Sequence, residues 1–135
     1  MLSRHFRFDI EMLSDRLIVA TEWLKKNSEN RNLVVGYFGA STGAAAALIA
    51  FAKNPDDVRA VVSCGGRPDL AMQYLPRIKA PTLLIVGGND MPVIELNKEA
   101  MRYFHATKKL EIVPGASPLF GRYTIYDEKV SVYSG

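Results

Sequence analysis

Metal-binding and redox side chains are nearly missing from this sequence. Its 135 residues hold one cysteine, Cys64, and two histidines, His5 and His105. A single thiol cannot close an internal disulfide, and no Cys/His group has metal-ligand spacing. That excludes a disulfide-stapled scaffold and a zinc module, implies no metal or cofactor, and suits a reducing cytoplasm. Long apolar runs are missing as well. The longest, Ala44–Ala52, is too short and too rich in alanine to cross a bilayer. The opening stretch MLSRHFRFDIEMLSD lacks the apolar centre of a signal peptide, so no membrane association is expected. Charge of one sign is not concentrated anywhere. The net +3 is spread over Lys25-Lys26, Lys53, Arg59 and Lys108-Lys109, with no basic stripe interleaved with aromatics. Nucleic acid therefore has little support as a partner.

What is present is the make-up of one globular domain. Hydrophobic residues are 48% and charged residues 23% of the chain, which argues against disorder. Residues 9–26 read as an amphipathic helix, with Ile10, Leu13, Leu17, Ala20 and Leu24 as its apolar stripe. Asp9 and Glu11 fall in its first turn and Lys25-Lys26 in its last, as the helix dipole favours. After a polar loop, residues 32–38 form a short apolar run read as a buried strand. Residues 41–53, with four consecutive alanines, read as a helix able to lie close to a sheet. Further strands are expected at 58–63, 82–86 and 110–113, with a short helix at 69–75 and a helix at 93–105 between them. Near-continuous apolar strands alternating with helices indicate a mostly parallel four-stranded α/β sheet with helices on both faces. Residues 121–135 have no helical period and read as a hairpin or a loose tail.

Chemistry enters at Gly39-Ala40-Ser41-Thr42-Gly43, a G-x-S-x-G placed between an expected strand and an expected helix. A serine on such a turn is held strained, with its hydroxyl projecting above the sheet edge. The close approach of the two backbones calls for small neighbours, Gly39 and Gly43. The amide of Thr42, at the helix N-terminus, is the candidate oxyanion donor. The competing reading is that Ser41 merely caps the helix.

A serine hydroxyl needs a base to take its proton. In this arrangement the acid and then the histidine follow the serine in the chain, each in a loop at the same sheet edge. Asp90, after the third strand, is the candidate acid, with a turn aspartate as the alternative. The histidine should follow the fourth strand, within residues 114–120, and none is there. His105 belongs to the opposite edge and His5 to the leader. Arg67 and Asp69, in the loop after the second strand, are substrate-contact candidates or else a loop ion pair. Cys64 reads as a buried, inert thiol.

The stretches RFDIEMLSDRL, GYFGASTGAAAAL, VVSCGGRPDLA, APTLLIVGGNDMPVIELN and LEIVPGASPLF resemble the C-terminal half of the dienelactone-hydrolase-like branch of the α/β-hydrolases, a branch also seen fused to phosphoribosyltransferase domains. The resemblance covers residues 7–120. It implies a partial α/β-hydrolase fold over residues 1–120, with the family's N-terminal strands and final helix missing and 121–135 a divergent tail. It carries the family's nucleophile onto Ser41 and its acid onto Asp90. The family's histidine lies in a segment of the form GA-S/T-H-LF; here the segment reads GASPLF, with Pro118 in its place.

Two functions follow as expectations. One is an ester or lactone hydrolase working through an acyl-enzyme on Ser41, impaired by Pro118. The other is a non-catalytic family member acting through protein contacts, as a homo-oligomer or with a partner chain completing its sheet along an open edge.

Overall fold

A helix longer than its apolar pattern opens the chain. The computed structural model describes residues 4–27, 29 and 32–115, and its first element is α1, Arg4–Lys26. Because α1 starts at Arg4 and not at Asp9, no acidic residue lies in its first turn, while Lys25 and Lys26 do occupy the last. The face it buries is also rotated from the expected stripe. Ile10, Ser14 and Thr21 are buried, whereas Leu13, Ala20 and Leu24 are exposed. The reason is that α1 packs mainly on the second helix, so the arc turned toward it is the one that leaves water.

The first strand, β1, is Tyr37–Ala40. The expected strand at 32–38 is therefore displaced toward the C-terminus. Leu33 and Val34 run ahead of the start of the neighbouring strand and stay exposed. Next come α2 (Thr42–Lys53), a single 3₁₀ turn (Pro55–Asp57) and β2 (Val61–Cys64). A longer 3₁₀ segment, Pro68–Arg77, leads into β3 (Thr82–Gly87), α3 (Met91–Met101) and β4 (Lys108–Val113). The four strands lie in chain order, β1-β2-β3-β4, and every neighbouring pair is parallel. β1 and β4 are thus the edges among the described residues.

Strand alternation divides the side chains between two faces. One carries Tyr37, Val61, Leu84 and Leu110, which join the core formed with α1, α2, the long 3₁₀ segment and α3. All nine residues from Ala44 to Ala52 of α2 are buried, as befits a helix that is apolar all round and enclosed by α1, the 3₁₀ segment and the sheet. The other face carries Val62, Cys64, Leu83, Ile85 and Val113, a small cluster made of strand residues only. Where the sequence predicts helices on both faces, the described helices all give their core residues to one. The divergent tail and the segment around Pro118 lie outside the described residues.

A buried polar pair ties α1 to the sheet. The hydroxyls of Thr21 and Tyr37 share a hydrogen bond of 2.6 Å, and Thr21 Oγ1 also donates to the Leu17 carbonyl at 2.8 Å. Burial pushes the Tyr37 phenol above its ordinary pKa of 10.0. A folded-state pKa above the unfolded one means that the folded chain holds its proton more tightly. Tyr37 therefore stabilises fully below pH 10, and that contribution is lost as pH rises through the unfolded and then the folded value. Tyr37→Phe is expected to lower stability by about 1 kcal/mol at neutral pH, the net worth of one buried hydrogen bond. It should also lessen the loss of stability above pH 10. Urea titrations at pH 7 and pH 10.5 check both; an unchanged alkaline loss in the variant counts against the assignment.

Candidate active site

The site is assembled where β1 runs into α2. Ser41 is the one non-glycine residue with positive φ among the described residues, at φ 52 and ψ −125. An L-residue held outside the favoured regions costs about 1–3 kcal/mol, so its neighbours must hold it there. Ser41 N–H donates to the Cys64 carbonyl at the end of β2 (3.4 Å), and its own carbonyl accepts from Ala44 N–H (3.2 Å) and Arg67 N–H (3.3 Å). Ser41 is exposed and its side chain makes no capping bond to α2. The hydroxyl is therefore not spent on the helix end. Thr42 is the first residue of α2, so its N–H has no carbonyl one turn back to bond.

The two elbow glycines differ. A Cβ on Gly39 would lie 2.5 Å from the Gly43 carbonyl oxygen and 2.6 Å from Ala44 Cα. One on Gly43 would meet nothing within 4 Å. The close approach expected at both positions is thus a property of Gly39, whose Cα faces the first turn of α2; the Cβ direction at Gly43 points into open space. Gly66 is a third tight position that sequence reading passed over. A Cβ there would collide with Ser63 Oγ and with Ala44 Cβ, so the loop after β2 runs pressed between β2 and the start of α2.

Asp90 lies after β3 at the same C-terminal sheet edge. It takes the N-cap position of α3 and accepts from Val93 N–H through Oδ1 at 3.4 Å. The carboxylate thus caps α3, a structural role other than the turn aspartate given as its alternative, and the cap occupies one carboxylate oxygen. β2 separates Asp90's strand from Ser41's, about 10 Å at ordinary strand spacing, so an intervening group is needed to link the two. His105 does not supply it. His105 is exposed just before β4, two residues ahead of Thr107, whose carbonyl accepts from Thr82 N–H at the start of β3. That is the opposite sheet edge. The side chain of His5 and Pro118 fall outside the described residues.

Arg67 and Asp69 form a two-pronged ion pair, Nε to Oδ1 and Nη2 to Oδ2, both at 2.9 Å. Asp69's carboxylate holds the Arg67 guanidinium above its ordinary pKa. Asp69 also faces a cavity of about 270 Å³ between α1 and the 3₁₀ segment, lined in part by Arg7, Glu11 and Tyr74 but not by Ser41. Cys64 is half-buried within the strand-only cluster. No group of three His, Cys, Asp or Glu side chains able to hold a metal lies among the described residues, and no described helix is long and apolar enough to cross a membrane.

A parallel α/β sheet whose strand-to-helix turn holds a serine in a disfavoured conformation, with a carboxylate at the same edge two strands away, has the architecture of an α/β-hydrolase. The chain belongs to the dienelactone hydrolase family, whose sequence model matches residues 3–123. It is 53% identical to a dienelactone hydrolase of Anabaena variabilis ATCC 29413, with a TM-score of 0.89 over 97% of this chain and 61% of that one. It is 56% identical over 113 residues to a Mycobacterium tuberculosis protein (strain H37Rv) named as a phosphoribosyl transferase. That match takes in 84% of this chain but 26% of the relative, so the chain spans about a quarter of the curated protein it resembles. A CIB-like hydrolase of Thermoplasma acidophilum, 24% identical, shares the fold with a TM-score of 0.64 over 84% of this chain and 56% of its own.

Proposed function

We propose that this chain hydrolyses an ester or lactone through an acyl-enzyme on Ser41, with turnover depressed because proline stands at position 118. The observation that carries the reading is Ser41 itself: φ 52, exposed, and without a capping bond. Strain of this kind, maintained by three backbone hydrogen bonds, stabilises nothing in the folded chain, and such residues cluster where chemistry requires them. In the proposed step Ser41 Oγ forms a bond to the substrate carbonyl carbon, and the carbonyl oxygen takes the negative charge beside the Thr42 N–H. Collapse expels the alkoxide, which leaves with a proton, and water then cleaves the acyl-enzyme. In this reading Asp90's other oxygen orients a base lying between itself and Ser41. Without an imidazole there the serine proton passes to solvent, and the step is slow. The proposed setting is the cytoplasm, with a small-molecule substrate.

A serine-directed fluorophosphonate is expected to label the chain slowly and at Ser41 alone. Ser41→Ala and Ser41→Gly should both abolish labelling, and Ser41→Gly should be the more stable of the two by about 1 kcal/mol, because glycine accepts positive φ. Mass spectrometry of the labelled peptide and thermal melts read these out. Labelling that persists in Ser41→Ala sinks the proposal.

A second reading has its own observation. Among the described residues β1 is an edge strand; Leu33 and Val34 just before it and Phe38 within it are 55%, 75% and 57% exposed. An open apolar edge invites another strand, which supports a non-catalytic role in which a partner or a second copy completes the sheet. Absence of any Ser41-dependent labelling, together with a dimer in sedimentation, would favour it.

A further inference from the structure

One fully buried amide joins the two halves of the site. Asn97 sits on α3 at zero exposure, on the stripe that also buries Ile94 and Ala100. Its Nδ2 donates to the Gly66 carbonyl at 3.1 Å and to the Val93 carbonyl at 2.8 Å. Both neighbours are carbonyl oxygens, which only the amino end of the amide can satisfy, so the orientation of the side chain is fixed by its partners. Its Oδ1 is buried without a hydrogen-bond partner among the described residues. A polar group kept under that penalty, about 1–3 kcal/mol, on a stripe where an aliphatic side chain would pack, is held for what its donors reach.

Each of those donors leads to one member of the proposed site. Gly66 is clamped against Ser63 Oγ and Ala44 Cβ, and the next residue, Arg67, donates its N–H to the Ser41 carbonyl. Val93 in turn donates its N–H to the Asp90 carboxylate. The loop is fixed on its sheet side as well, where Gly65 N–H donates to the Ile85 carbonyl at 2.7 Å. We propose that Asn97 is the positioning residue of this site: its amide locks the loop that holds Ser41's strained backbone to the helix turn that carries Asp90. This deepens the Ser41 reading and rests on it. Asn97 touches neither the hydroxyl nor the substrate; it acts through Gly66–Arg67 on one side and Val93 on the other.

Threonine separates the two bonds. Its hydroxyl keeps the bond to the carbonyl four residues back but is too short to reach Gly66. In Asn97→Thr the rate constant for inactivation by saturating fluorophosphonate is expected to fall about tenfold with the reagent's half-saturation concentration unchanged, one hydrogen bond's worth of alignment. Amide exchange at Arg67 should quicken at least tenfold, while exchange in β4 stays as it was. Asn97→Ser, which also keeps the short hydroxyl and is smaller, serves if threonine does not fold. Measurements are made well below each variant's melting temperature, because a residue that only packs lowers that temperature and leaves the inactivation constant alone. An unchanged inactivation constant in the folded variant overturns the proposal. If the unaltered chain does not label at all, the Ser41 reading falls separately. The exchange arm then decides: unchanged protection of Arg67 overturns the tie, and faster exchange upholds it.

Discussion

Gly39→Ala is expected to destabilise the fold by about 3 kcal/mol or more, while Gly43→Ala, four residues on in the same pentapeptide, is expected to be neutral or stabilising by up to about 1 kcal/mol. The added methyl at position 39 would sit 2.5 Å from the Gly43 oxygen and 2.6–2.7 Å from the Ala44 Cα and N. All three are backbone atoms, so no side chain can swing aside; the first turn of α2 must move off β1. That turn is enclosed by buried alanines and by the loop at Gly66, and it has nowhere to go without opening the core. The cost is a large share of the total stability of a domain this size, about 5–15 kcal/mol. At Gly43 the same methyl meets nothing within 4 Å and replaces a poor helix former with the best one. Urea midpoints of the two variants measured side by side provide the test. Equal effects would mean that the strand and helix do not approach at Gly39 as the structure has them.

That contrast marks the boundary of what the sequence discloses. The strands at residues 82–86 and 110–113 are legible because each is a short, mostly apolar run stopped by Gly or Pro, and both appear, as Thr82–Gly87 and Lys108–Val113. The elbow is legible because its pattern lies between a strand and a helix. Its two glycines look equivalent in sequence, because a pattern records identity and not the direction of a Cβ. Strand composition begins at Leu33 and Val34, ahead of β1 itself, because pairing, which composition does not contain, begins only where β2 can reach. The buried face of α1 departs from its apolar stripe for a similar reason. Apolar side chains on two adjoining arcs leave the choice of face to whichever neighbour is present. Asn97 carried a faint signal, an amide on an apolar stripe, but its partner Gly66 is 31 residues away, and no local period reports that contact.

Pro118→His is expected to raise the rate of Ser41 acylation by about a thousandfold or more, and still to leave the chain short of an intact family enzyme. One term sets the gain and another sets what is still lacking. In a serine triad the loss of the histidine costs about a millionfold in turnover, because the hydroxyl then has no acceptor for its proton and the leaving group no donor. The resemblance puts that histidine at position 118, in GASPLF, and nothing at proline can titrate. Restoring the imidazole returns the general base, with Asp90's second oxygen available to orient it. Against this stands the oxyanion hole. Thr42 N–H is one donor, and the fold draws the other from a loop following an earlier strand; no such loop is among the described residues, where β1 is an edge. One missing donor costs about 10²–10³ in rate; both chains lack it, so it sets how far Pro118→His falls short of an intact enzyme, while the gain over the unaltered chain has the millionfold as its upper bound. Pre-steady-state acylation by an activated aryl ester, in Pro118→His and in Pro118→His with Ser41→Ala, measures it. A gain that survives loss of Ser41 assigns the new imidazole its own hydrolysis and removes the triad reading. Full family-level turnover would show that a second oxyanion donor is present after all. No gain at all would mean that position 118 does not reach the site, and that the alignment of GASPLF with the histidine segment does not carry into space.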